Sequence, residues 1–195
     1  MQIICLGDSF TEVFGVSEEE NWVSLLDHSG SDSYINKGIS GDTTSGMLAR
    51  LHRDVISQHP HAALLIGGSN DVIASGSIEI VKCNMMAMIH QLFHYGIKPI
   101  LSTPIPCIPE KIMPLWTAYN DFSTYNQKME ALNSWCRRFS HAFMCGYIDL
   151  YTPFQEAIAA GGADRLFLDG LHLVPEGQKM AAQRIAQAVH IDTYA

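Results

Sequence analysis

Residues Gly7-Asp8-Ser9 close a short apolar run at the start of the chain, and Asp169 and His172 stand three apart in LDGLHLVPEG. A serine, a histidine and an acid are the parts of nucleophilic acyl transfer. The hydroxyl attacks poorly until a base takes its proton, and the base needs a carboxylate to hold its tautomer. A single loop carrying Asp169 and His172 lets the carboxylate fold back onto the imidazole Nδ1–H, leaving Nε2 for the serine proton. Two further segments could meet the negative charge that develops. Asn36-Lys37-Gly38-Ile39-Ser40-Gly41-Asp42-Thr43-Thr44 leads from a glycine into a helix, so a backbone N–H can point at an oxyanion. Gly67-Gly68-Ser69-Asn70-Asp71 offers the Asn70 side-chain amide for the same task. Each segment alone has a plainer reading: Ser9 as a helix cap, Gly41 and Asn70 in turns, the Asp-x-x-His as coincidence. Jointly they fill every role that acyl transfer demands.

These residues must be delivered by elements. Ile3–Leu6, Ala62–Ile66, Lys98–Ser102 and Ala142–Ile148 read as buried strands, with Ser33–Ile35 a weaker one. Between them lie helical patterns. Ser17 and Glu20 form a capping box for a helix carrying Trp22, Leu25 and Leu26. Thr43 or Thr44 caps a second, with Met47, Leu48, Leu51 and Val55 on one face. A third follows Ser77 and carries Val81, Met85, Met88, Ile89 and Leu92; two more span Phe122–Phe139 and Pro175–His190. Strand and helix in alternation predict a parallel sheet in a three-layer α/β/α sandwich. In such sheets the ligand site forms at the carboxyl ends of the strands; three of the segments follow an expected strand, and the Asp169–His172 loop leads into the last helix on the same rim.

With 195 residues, the chain has the length of one domain, expected over 1–195. The net charge of −8 disfavours nucleic acid, and Arg137-Arg138 is the only cationic pair. Five cysteines form no C-x-x-C pair, which reads as reduced thiols. The N-terminus carries neither a basic region nor a cleavage site, and no run approaches the roughly 18 apolar residues of a membrane span, so a cytoplasmic location is expected. Pro104–Asp121 stands apart as an insertion with four prolines among Ile105, Ile108, Ile112, Met113, Leu115, Trp116 and Tyr119. Proline at that density forbids a long helix. The segment either walls an acyl chain or lies buried in a homodimer, so a monomer and a homodimer both stand open.

The four segments resemble the SGNH/GDSL hydrolase family (GDSL-like lipases and acylhydrolases). Gly7-Asp8-Ser9 is similar to its first block, Gly41 in ISGDT to its second, Gly68-Ser69-Asn70-Asp71 to its third, and Asp169-x-x-His172 to its fifth. Phe10 replaces the leucine of GDSL. NKGISGDTTSGMLARL and NWVSLL most resemble the bacterial acyl-CoA thioesterase/lysophospholipase branch. The resemblance implies a flavodoxin-like, five-stranded parallel sheet in the order 2-1-3-4-5. It implies Ser9 as nucleophile, with His172 and Asp169 completing a triad and an oxyanion hole built from Ser9, Gly41 and Asn70. Asp8, Ile105, Met113, Trp116 and Leu171 are expected around a small ester or thioester substrate. This chemistry needs no metal and no organic cofactor.

Three other readings compete. His59-x-His61 and His90-x₃-His94 have metal-ligand spacing, although Gln91 stands where a zincin has its glutamate. A flavodoxin-like module could bind a phosphate or nucleotide without chemistry, which leaves Ser9, Asn70 and His172 unexplained. A carbohydrate acetylesterase would use the same triad on the same scaffold.

Overall fold

The computed structural model describes residues 1–28, 30, 32–118 and 120–192. Five parallel strands form one sheet: β1 (Gln2–Gly7), β2 (Ser33–Gly38), β3 (Ala62–Ile66), β4 (Lys98–Ser102) and β5 (Gly146–Ile148). Their order is β2-β1-β3-β4-β5, as the family resemblance implies. Successive side chains leave a strand on opposite faces, so each strand feeds two cores. Ile4, Leu6, Ala63, Leu65 and Leu101 pack under α2 (Thr44–Asp54), α4 (Glu79–His94) and α6 (Tyr125–Phe143). Ile3, Cys5, Leu64, Ile66 and Ile148 pack under α1 (Trp22–Asp27), α7 (Tyr151–Ala157), α8 (Ala163–Leu166) and α9 (Pro175–Asp192). The three-layer α/β/α sandwich expected from the sequence is the architecture found.

Several boundaries differ from expectation. Ala142 and Phe143 belong to the end of α6, not to β5. Met144 takes a left-handed conformation (φ 52°) that stops the helix, and Cys145 N–H then bonds back to the Ser140 carbonyl at 3.1 Å. That helix starts at Tyr125 rather than Phe122. The Ser17–Glu20 capping box closes only a single turn, Glu18–Glu20; Asn21 then caps α1 separately, accepting from Val23 N–H at 3.0 Å. Gly67–Asp71, for which a turn was the plainer of two readings, leads through Gly68 into the helix α3 (Ser69–Ser75), which the helical patterns did not include. Among its described residues, Pro104–Asp121 holds a turn at Pro109–Lys111 and the short α5 (Pro114–Thr117), and no long helix; Tyr119 lies outside the described residues.

The register sets the level of the site. Gly7, the last residue of β1, pairs with Gly38 on one side and Ile66 on the other. The chain leaves β1 for β2 on one side and returns to β3 on the other, so the crevice opens above Gly7.

Candidate active site

Ser9 stands two residues beyond β1, in a turn rather than the opening of a helix. Thr11 and Glu12 N–H both donate to the Asp8 carbonyl, at 3.1 and 3.0 Å, and Phe10 N–H donates to Asp8 Oδ1 at 3.0 Å. Neighbours pin the turn from outside. Trp22 Nε1 donates to the Phe10 carbonyl (2.8 Å) and Asn36 Nδ2 to the Thr11 carbonyl (2.6 Å). Gly7 serves through close approach, not through a positive φ: a Cβ there would fall 2.2 Å from Thr11 Oγ1 and 2.7 Å from the Ile66 carbonyl. Among the turn amides, Ser9 N–H meets no protein acceptor in the described residues.

Phe167 and Leu173 bridge antiparallel, and the loop between them carries Asp169 and His172. Asp169 Oδ1 accepts the Leu171 and His172 amides at 3.0 and 2.8 Å, and its Oδ2 lies 2.7 Å from His172 Nδ1. On the other side of the ring, His172 Nε2 lies 3.1 Å from Ser9 Oγ. Burial alone would raise the Asp169 pKa, but the hydrogen bonds from the imidazole and two backbone amides outweigh it and hold the group at about 2. Asp169 is therefore an anion beside the imidazole, an arrangement that can hold the Nδ1–H tautomer and leave Nε2 facing Ser9. Phe14 stacks on the imidazole with ring centroids 3.9 Å apart, and Trp116 meets it edge-on at 6.1 Å.

The other two segments converge on Asp42. Gly41 has φ 79°, a left-handed backbone that lets the chain turn sharply into α2, and its N–H meets no acceptor among the described residues. Asn70 Nδ2 donates to the Asp42 carbonyl at 2.8 Å. An amide nitrogen carries two hydrogens, so one remains for a ligand. Asp71 ties the same two helices together, accepting Thr44 N–H at 2.9 Å and Thr44 Oγ1 at 2.7 Å.

Ser9, Asn70 and His172 line one cavity of about 30 Å³ with Asp8, Ile105, Trp116 and Leu171. Of the expected pocket residues, Met113 does not line it. Its extended backbone ahead of Pro114 turns it outward to 47% exposure, and Trp116, on the helix that follows, reaches His172 instead. Gly41 is also off the lining, held near it through Asp42. Four residues at the site carry no motif: Phe14 on the imidazole, Tyr125 on the lining with its hydroxyl 2.8 Å from Ser69 Oγ, Ile73 on the lining, and the buried Arg50. Only Arg50 had a sequence signal, a cation next to Leu51 and three residues beyond Met47 on the apolar face of α2.

The histidine pairs lie elsewhere. His61 Nδ1 accepts Gln2 N–H at 3.1 Å, His90 meets Phe143 edge-on, and His94 meets Tyr95. No group of three or more metal-capable side chains occurs among the described residues.

Known proteins share both sequence and fold with this chain. It is 30% identical over 119 residues to an uncharacterized lipoprotein of Bacillus subtilis, covering 54% of this chain and 49% of that protein. It is 31% identical over 106 residues to an arylesterase of Vibrio mimicus, covering 51% and 52%. The aligned parts thus span about half of those relatives' lengths. The solved structure of an acetyl xylan esterase superimposes with a TM-score of 0.77 at 23% identity, covering 97% of this chain and all of that one. The sequence model of the GDSL-like lipase/acylhydrolase family matches residues 5–180, most of the sheet and all four segments, and the chain belongs to that family.

Proposed function

We propose that the protein is a carboxylic ester hydrolase that works through an acyl-enzyme on Ser9. The observation that carries this reading is the continuous relay from Ser9 Oγ through His172 to Asp169, at 3.1 and 2.7 Å. His172 Nε2 takes the hydroxyl proton as Ser9 Oγ bonds to the ester carbonyl carbon. The carbonyl electrons move to oxygen, which the N–H groups of Ser9 and Gly41 and the amide of Asn70 hold. As the carbon–oxygen bond to the alcohol breaks, His172 returns the proton to the leaving alkoxide. Water then repeats the sequence and frees the acid. Ser9→Ala should abolish both turnover and labelling by a fluorophosphonate, and Asn70→Ala should lose about 10²–10³ in kcat. Wild-type hydrolysis by Ser9→Ala would sink the reading.

The cavity favours short acyl groups. At about 30 Å³ the cavity beside Ser9 and His172 is narrow, which supports a short acyl group such as acetyl over a long chain. The leaving oxygen must face His172 and the oxyanion must face its donors, which leaves the acyl group the apolar part of the lining, Ile73, Ile105 and Trp116. Acetylated sugars are the first class to assay, in line with the acetyl xylan esterase that shares the fold. On p-nitrophenyl esters from acetate to palmitate, kcat/KM should fall more than tenfold between two and eight carbons. A palmitate optimum would instead favour the lysophospholipase or thioesterase activities of the branch. A cytoplasmic location accompanies this reading. Cys5, Cys107 and Cys136 are buried thiols, and no helix among the described residues is long and apolar enough to cross a membrane. One relative is a lipoprotein, so recovery in the membrane fraction would overturn that location.

A further inference from the structure

Arg50 is a charged side chain in the interior, 8% exposed, that none of the acyl-transfer steps uses. Its guanidinium reaches four acceptors on separate pieces of chain. Nη2 donates to the Gly7 carbonyl at 2.9 Å, and Nη1 to the Lys37 carbonyl at 2.8 Å and to Asp54 Oδ2 at 2.9 Å. Nε donates to Asp42 Oδ2 at 2.7 Å. Gly7 stands two residues before Ser9, and Asp42 directly follows Gly41. The Asp42 carbonyl in turn holds Asn70 Nδ2 at 2.8 Å. One planar cation therefore ties the ends of β1 and β2 to the turn on which both remaining oxyanion donors depend.

We propose that Arg50 is a positioning residue for the oxyanion hole, setting Gly41 and Asn70 at a fixed place relative to Ser9. The inference rests on the ester-hydrolase reading of Ser9. Burying an ion pair seldom gains stability over apolar packing, so a buried arginine with four satisfied bonds fits a demand for geometry. That demand is strict. Oxyanion donors act at about 2.7–3.1 Å, and a misplacement of about 1 Å can cost on the order of 10² in rate. The donors meet the oxyanion and not the ground-state carbonyl, so losing their alignment lowers kcat and leaves KM nearly unchanged. Lysine cannot substitute, because a single ammonium does not reproduce the planar fork of donors.

The test compares Arg50→Lys and Asp42→Asn with a control, Arg53→Ala, in the full chain. Arg53 lies on the same helix and pairs with Asp54, but is 74% exposed. The readouts are kcat and KM on p-nitrophenyl acetate, affinity for phenylboronic acid as a tetrahedral adduct of Ser9, and melting temperature. Arg50→Lys and Asp42→Asn should each lower kcat about 10- to 100-fold with KM within about twofold, and weaken the boronate by a similar factor. Adding Asn70→Ala to Arg50→Lys should cost less than the product of the two single losses, because both act on one set of donors. Arg53→Ala should leave kcat unchanged at any melting temperature. Wild-type kcat and boronate affinity in both site variants would overturn the proposal, as would losses that only track melting temperature. If Arg50→Lys does not fold, Asp42→Asn decides alone, since it keeps the arginine and the side-chain shape. Hydrolysis surviving in Ser9→Ala would fell the ester-hydrolase reading and this one with it. A dead Ser9→Ala beside a fully active Arg50→Lys would fell only the role of Arg50.

Discussion

Asp8 is the buried acid next to Ser9, and its two oxygens live differently. Oδ1 accepts Phe10 N–H, while Oδ2 is buried with no hydrogen-bond partner among the described residues. Burial raises its pKa to about 6; the Phe10 N–H and His172 pull it down, and Asp42 and Asp71 push it up. In the unfolded chain the group titrates near its ordinary value of 3.8. Between about pH 4 and pH 6 the folded protein keeps a proton that the unfolded chain releases. Stability therefore falls as pH rises through that window and stays lower above it. Asp169 has the opposite sign, adding stability above pH 4 that is lost as pH falls toward 2. Replacing Asp8 with Asn should remove the loss that it causes. Relative to wild type, Asp8→Asn should gain up to about 3 kcal/mol at pH 8 over its value at pH 4, from roughly 1.36 kcal/mol per pKa unit. Urea midpoints at both pH values measure this, and parallel shifts in the two proteins would count against it.

At the scale of elements, the insertion is divided between two jobs. Ile105, Ile108 and Ile112 are buried in the chain's own core, while Met113 and Leu115 face outward, Leu115 at 69% exposure. Ile108 N–H donates to the Gly170 carbonyl at 2.8 Å, so the insertion also braces the loop of Asp169 and His172. What remains for the substrate is Ile105 with Trp116 on α5. Trp116→Ala should enlarge the cavity and move the acyl optimum beyond acetate, raising the butyrate-to-acetate ratio of kcat/KM about tenfold, since one methylene in an apolar pocket is worth roughly 1–3 kcal/mol. An unchanged ratio would place the acyl group elsewhere. β1 and β3 were legible in the sequence as continuous apolar runs, and β3 and β4 were read at their true ends; β2, Ser33–Gly38, is half polar and was read three residues short, and β5 was read together with the end of α6. The helix α3 was not legible, because Gly-Gly-Ser-Asn-Asp is turn chemistry and its seven residues are tied down from outside the helix, by Thr44 of α2 donating to Asp71. Ser9, Asn70, Asp169 and His172 were legible as motifs. The stacking of Phe14 on His172 was not, because it joins residues 158 positions apart through folding alone.

Over the whole molecule, charge bears on substrate choice through a quantity that no single contact sets. Twenty acidic residues against twelve basic ones give −8, and Asp8, Asp42, Asp71 and Asp169 are gathered near the cavity with Arg50 already paired among them. Like charge slows the approach of an anionic substrate, and salt screens that repulsion over about 10 Å at 0.1 M ionic strength. A coenzyme A thioester carries several negative charges on its leaving group; a p-nitrophenyl ester carries none. If the protein hydrolyses both, kcat/KM on acetyl-coenzyme A should rise severalfold between about 10 and 200 mM salt, while kcat/KM on p-nitrophenyl acetate stays flat. Stopped-flow or steady-state rates at low substrate read the second-order constant directly. A thioester rate that falls with salt would mean that a local cationic surface, and not the net charge, governs the approach. That outcome would restore the thioesterase branch as the better guide to the physiological leaving group, even with the short-acyl cavity left as it is.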